Sequence, residues 1–313
     1  MNDTKPAAGP AAPAPTPAPQ RQLRAGQVSQ LTVIDRDGRN ARVVLETDVL
    51  IEAPNWTPDG RWLIYNSGGA LFRLAADGTG APTKIDVGPI DDANNDHVLA
   101  PDGRTIYISS RDGHLYAAPL AGGARKRVSN QHPPERPRRH YLHGVSPDGA
   151  TLAYVGVEPA RGDPSALKNI FTIPAGGGPD RQLTQGDARM DGPEFSPDGK
   201  WIYLNGQPDM NAPELQVFRM RPDGGGREQL TRDARSNWFP HPAPDMSCFV
   251  YLSYPPGTTG HPPDKDVILR LAAPDGSAQR DLIALFGGQG TINVNSWAPD
   301  SRRFAYVAYP TRR

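Results

Sequence analysis

The chain of 313 residues has one cysteine, Cys248, so no internal disulfide can form. Cys248 sits in the apolar run Cys248-Phe249-Val250-Tyr251-Leu252, which predicts a core thiol rather than a nucleophile. No stretch approaches the roughly 18 apolar residues of a membrane-spanning helix. Net charge is also lacking, because 34 Lys and Arg balance 34 Asp and Glu. That excludes the broad basic surface that nucleic acid or an anionic membrane requires. Neither a Gly-x-Ser-x-Gly elbow nor a His-Glu-x-x-His pair occurs. The first 20 residues have no apolar h-region and do not read as a signal peptide. Residues 1–27, rich in Ala and Pro, read as a disordered tail, partly polyproline II. As given, the chain is expected in the cytoplasm, or in the periplasm if a leader has been removed.

Gly (33) and Pro (35) are plentiful and aromatics are sparse (7%), a composition of many turns and little helix. The dipeptide Pro-Asp recurs at Pro58, Pro101, Pro147, Pro197, Pro244 and Pro299, at spacings of 43 to 55 residues. Gly follows in the first four. Pro fixes φ, Asp bonds the backbone two residues on, and Gly accepts a positive φ, so each is a tight turn. Apolar β-formers follow, as in Trp201-Ile202-Tyr203-Leu204, and then an alternating strand such as Leu215-Gln216-Val217-Phe218-Arg219-Met220. A polar outer strand, Arg227-Glu228-Gln229-Leu230-Thr231, completes each period. Four short strands per period of this length predict an all-β fold, a six-bladed β-propeller with four antiparallel strands per blade. The sixth period ends after two strands. The run Ser29–Asp35 and the strand after Arg36-Asp37-Gly38 would supply the other two, so both termini close the sixth blade.

Phe195-Ser196-Pro197-Asp198-Gly199-Lys200, Val145-Ser146-Pro147-Asp148-Gly149, Gln182-Leu183-Thr184 and Gln229-Leu230-Thr231 resemble the repeat of the TolB-type six-bladed propeller. The resemblance covers residues 28–309 and implies a single TolB-like propeller over 28–313. Met246 and Ser301 stand where the repeat has its turn Gly.

The turns between strands one and two are short. The long insertions, 86–95, 130–140, 157–167, 206–214, 254–265 and 285–291, all belong to the other face, where a rigid scaffold carries its binding loops. All seven histidines are assigned to that face. Inner strands line the axis, and the positions before the Trp/Phe slot are polar in every blade: Asn55, His97, His143, Glu194, His241 and Asn295, with Asp191, Asn237 and Asn293 just above. These residues form the expected ligand-binding channel mouth.

Three functions fit such a mouth. A non-catalytic recognition platform would bind a glycan, a peptide or a protein partner there. A metal centre would use His97, His143, His241 and Glu194 to hold a divalent ion such as Mn, Zn or Ca. A metal-assisted carbohydrate-active enzyme, similar to propeller lyases of acidic oligosaccharides, would use His143 or His241 as base, with Arg138, Arg139 or Lys265 on the substrate carboxylate.

Overall fold

In the computed structural model the described residues are 21–88, 92–160, 163–186 and 188–312. Residues 1–20 of the expected tail, and parts of the 86–95 and 157–167 insertions, lie outside them. The described residues form strands and turns with no helix, so no helix is long and apolar enough to cross a membrane.

The strands form six sheets around an axis. Blade one comprises Glu52–Trp56, Trp62–Ser67, Ala70–Ala75 and Thr83–Ile85. Blade two comprises Ala93–Leu99, Thr105–Ser110, Leu115–Pro119 and Lys126–Arg127. Blade three comprises Arg139–Val145, Thr151–Ala160, Asp163–Pro174 and Arg181–Gln182. Blade four comprises Met190–Phe195, Ile202–Gly206, Gln216–Met220 and Glu228–Gln229, and blade five Ser236–Pro242, Phe249–Tyr254, Lys265–Ala272 and Arg280–Gly287. In blade six, Arg303–Ala308 pairs with Ser29–Asp35, which pairs in turn with Arg42–Thr47. Both termini therefore close the ring, as the repeat count requires.

The Pro-Asp turns are built as their residues dictate. Asp59 Oδ1 accepts from Thr57 Oγ1 (2.6 Å) and from the Arg61 N–H (3.0 Å), and Gly60 takes φ +74°. Asp148 and Asp198 repeat the pattern with Ser146 and Ser196. Met246 and Ser301 keep the turn's left-handed φ (+58° and +59°) without being glycine. The apolar faces bury between neighbouring blades. Trp56 packs with Ala305 and Val307 across the closure, and Trp297 with Trp238 and Phe304. Cys248 is half-buried against the same core.

Three features differ from the sequence reading. First, residues 21–27 pack against the propeller. Arg21 stacks 4.0 Å from the Tyr309 ring and pairs with Glu52 and Asp264, and Gln27 bridges to Thr311. Second, all five regular inner strands carry a register shift midway, between Glu52/Asn55, Ala93/His97, Leu142/Gly144, Asp191/Glu194 and Trp238/His241. At three of these bulges the extra residue has a positive φ: Ala53 (+55°), Gly192 (+58°) and Phe239 (+53°). Third, the inner segment of blade six, 291–297, is not a regular strand. It holds its neighbour through the Trp297–Phe304 bridge and through Thr291 and Ser296 carbonyls.

Candidate functional site

That irregular segment shapes the channel. With no ladder of its own, its carbonyls turn inward and need donors. The Asn293 carbonyl accepts from His143 Nδ1 (3.2 Å), Ile292 O from His241 Nε2 (2.5 Å), and Asn295 O from Asn55 Nδ2 (2.5 Å). Blade six thus reaches blade three on the far side of the ring. The segment lies across the axis and parts two cavities, one lined by Asn295 and the other by Asn293.

The first cavity, about 360 Å³, opens at the short-turn end. Its rim carries all six turn prolines: Pro58, Pro101, Pro147, Pro197, Pro244 and Pro299. Asn55, His143, Glu194 and Asn295 line it. These predicted mouth residues therefore belong to the end opposite the long loops. The bulges explain the difference, because each inner strand runs several residues from the long-loop end before reaching the position ahead of its Trp or Phe. The polar groups there are largely bonded to one another. Glu194 accepts from His241 Nδ1 (2.5 Å) and from Asn295 Nδ2, and Asn295 Nδ2 also donates to Pro242 O (3.2 Å).

The remaining sequence candidates scatter. His97 is fully buried in blade two beside the Ile64 backbone, and burial lowers its pKa to about 4. Asn237 lies between blades four and five, bonded to Gln216, Thr231, Asp233 and Ser253. Lys265 is exposed at the edge of blade five, and Arg138 pairs with Glu158 at 2.5 Å away from the axis. The expected metal quartet His97, His143, His241 and Glu194 is not assembled. Among the described residues, one group of three potential ligands comes together, and it is a different one. His143 and His241 each set both ring nitrogens against acceptors of the protein. The histidines do not gather at one place. His143 and His241 lie on the axis, His261 joins the inner cavity, and His114, His132 and His140 gather between blades two and three.

The inner cavity, about 250 Å³, is the more chemically varied. Lys168 Nζ contacts Asp191 Oδ2 at 2.9 Å, and His143 Nε2 lies 3.5 Å from Asp191 Oδ1. Burial opposes the Asp191 charge, but Lys168, His261 and His143 outweigh it and hold the carboxyl at about 2. Asp191 in turn raises the Lys168 pKa. Asp96 shows the opposite balance, since burial pushes its pKa up against the pull of His143. His261 is kept neutral, with burial lowering it to about 4, and its Nδ1 bonds Gln289 Oε1.

Asn94, Tyr141 and Gln289 line both this cavity and a vestibule of about 580 Å³ at the long-loop end. Three arginines stand in the vestibule: Arg21, Arg111 and Arg139. Arg139, a sequence candidate, is exposed and donates to Arg111 O at 2.9 Å. Lys168 is the residue the sequence reading missed. A lysine within the otherwise β-forming run Leu167-Lys168-Asn169-Ile170 was the available signal.

No family model matches the chain. It is 39% identical over 285 residues to an uncharacterised protein of Agrobacterium fabrum, covering 90% of this chain and 92% of that one. A solved Agrobacterium tumefaciens protein, described provisionally as TolB, superposes with a TM-score of 0.81 at 38% identity, covering 91% of this chain and 99% of that one. This chain belongs to the TolB-like six-bladed propellers. Tol-Pal system proteins TolB of Francisella tularensis match over 115 residues at 33% identity, 34% of this chain and 26% of theirs. An oligogalacturonate lyase in complex with manganese (TM-score 0.56, 17% identity, 85% of this chain and 75% of that one) shares the fold alone.

Proposed function

We propose that this TolB-like propeller is a recognition module that takes an acidic segment of a protein partner into the long-loop end of its channel. The observation that carries the reading is the arginine vestibule opening onto Lys168. Arg139 is exposed, and its planar fork suits bidentate capture of a carboxylate. Below it, the Lys168 side chain is 30% exposed and answered by Asp191 alone among nearby carboxylates at contact distance. The vestibule volume falls in the range of ligand sites and suits an extended peptide rather than a folded domain. Tyr141 is the one aromatic among the described vestibule residues, which favours a peptide over a stacked sugar. The Tol-Pal name of the Francisella relatives supports a protein partner.

Selection of random peptides against the purified protein is expected to enrich Asp- and Glu-rich sequences. Arg139→Glu should weaken the selected peptides by about 10-fold or more, since a charged hydrogen bond contributes roughly 1.5–3 kcal/mol. Their binding should fall with added salt. Enrichment of neutral sequences, or binding indifferent to Arg139→Glu, overturns the proposal.

A further inference from the structure

The three histidines between blades two and three line neither the axial cavities nor the vestibule. His140, at the start of the blade-three inner strand, is fully buried. Its Nδ1 donates to the Gly113 carbonyl at 2.7 Å, which fixes the tautomer and leaves Nε2 as a lone pair. That Nε2 is shielded from solvent and has no hydrogen-bond partner. His132, on the connection from blade two, is in the same condition. Its Nε2 is shielded and lies 3.4 Å from Asp180 Oδ2 without hydrogen-bond alignment. One ligand atom from each of His132, His140 and Asp180 falls within 4.8 Å of the other two.

We infer that His132, His140 and Asp180 form a binding site for a borderline divalent cation of the zinc class, with water completing the coordination. Two imidazoles and one carboxylate are a ligand set such ions prefer. An imidazole whose far nitrogen donates to a backbone carbonyl is the usual support of a metal-bound histidine. Asp180 is supported in the same way, because Tyr154 Oη donates to Oδ1 (2.8 Å) and Asn130 Nδ2 to Oδ2 (3.0 Å). Arg138 NH1 also donates to Asp180 Oδ2 (3.4 Å), and it shares its charge with Glu158, which lies at 2.5 Å. Zinc–ligand distances near 2.0–2.2 Å require the three atoms to draw in by up to about 1.5 Å. His132 lies on the connection between strands Lys126–Arg127 and Arg139–Val145. The bound ion would fasten the connection between blades two and three to the body of blade three.

The test is titration of the chelator-stripped full chain with Zn²⁺ alone by calorimetry, and with Co²⁺ followed by its visible absorption. One equivalent is expected, with a rise in the wild-type melting temperature. His132→Ala and Asp180→Asn should each weaken binding by more than about 100-fold, beyond the 10- to 100-fold loss of a supporting group. Cys248→Ser should leave binding intact. If His132→Ala does not fold, Asp180→Asn, which keeps its shape and its Tyr154 neighbour, reads the same loss. No uptake by the wild type at 100 µM Zn²⁺ (~0.1 mM, far above a structural zinc site's need) overturns the inference. So does wild-type affinity in either variant, or loss of binding in Cys248→Ser.

Discussion

Truncating Glu194 tests whether the axial polar network holds the ring together. Glu194 is 6% exposed and accepts from His241 Nδ1 at 2.5 Å and from Asn295. The other His241 nitrogen is bonded to the Ile292 carbonyl, also an acceptor. Both ring nitrogens of His241 are therefore held against acceptors, one of them the Glu194 carboxylate. Glu194→Ala strands that imidazole inside the channel. Breaking a buried pair by removing one member costs about 3–5 kcal/mol. The proline-ringed cavity adjoins Glu194 and can admit water, so the lower end, about 3 kcal/mol, is expected. For a chain of this size that is roughly 5 °C in melting temperature. Glu194→Gln keeps the volume and one acceptor and should cost about half as much, ~1.5 kcal/mol. Urea unfolding with linear extrapolation measures both. A cycle with His241→Ala should give a coupling of about 1–3 kcal/mol. Peptide binding at the arginine vestibule should survive, because the 291–297 segment separates the two ends. A Glu194→Ala protein within about 0.5 kcal/mol of wild type, with no coupling to His241, would refute the argument.

Met246→Gly should stabilise the fold by about 0.5–1 kcal/mol, the left-handed cost of a side chain less the added freedom of the unfolded chain. Ser301→Gly at the matching turn should not, because Ser301 Oγ accepts the Asp245 N–H at 2.9 Å; unfolding curves of the two variants decide. Acid should destabilise the protein in two stages. His97, His140 and His261 have folded pKa values lowered by burial to about 4. The unfolded chain protonates them first, so stability falls from about pH 6.5 to pH 4 at a slope of up to about three protons. The Asp191 contribution is complete above about pH 4 and is lost towards pH 2, because its folded pKa is depressed. His261→Gln should remove about one proton from the first slope, measured as urea stability against pH.

The architecture was legible because the turn is local chemistry. Pro-Asp-Gly needs no partner beyond its own neighbours, and its spacing counts the blades. Closure followed from two strands missing at one terminus and two spare at the other. The channel was half legible. Polar residues before each Trp or Phe do line the axis, as Asn55, His143, Glu194 and Asn295 show. Which end they face was not, because the answer rests on bulges at Ala53, Gly192 and Phe239. An alanine or phenylalanine in a left-handed conformation leaves no mark in the sequence. The bulges are braced from neighbouring blades, with Asn205 Oδ1 accepting the Phe239 N–H and Asn66 donating to Ala93 O. The inward turn of 291–297 was equally hidden, since its donors come from three other blades. Asp180 lies a whole blade away in sequence from His132 and His140, so only folding reveals the three as neighbours.

The strand Ser29–Asp35 finds its inner partner in Arg303–Ala308, at the far end of the propeller's sequence. At typical synthesis rates of 5–20 residues per second, the N-terminal strand waits roughly 15 to 60 s for that partner. Through this interval Leu31, Val33 and Ile34 belong to an open crescent rather than a ring. A chain stalled or truncated before residue 303 keeps an unpaired, apolar strand on offer to other molecules. Quality control on the ribosome would then act on the final clasp more than on any single blade.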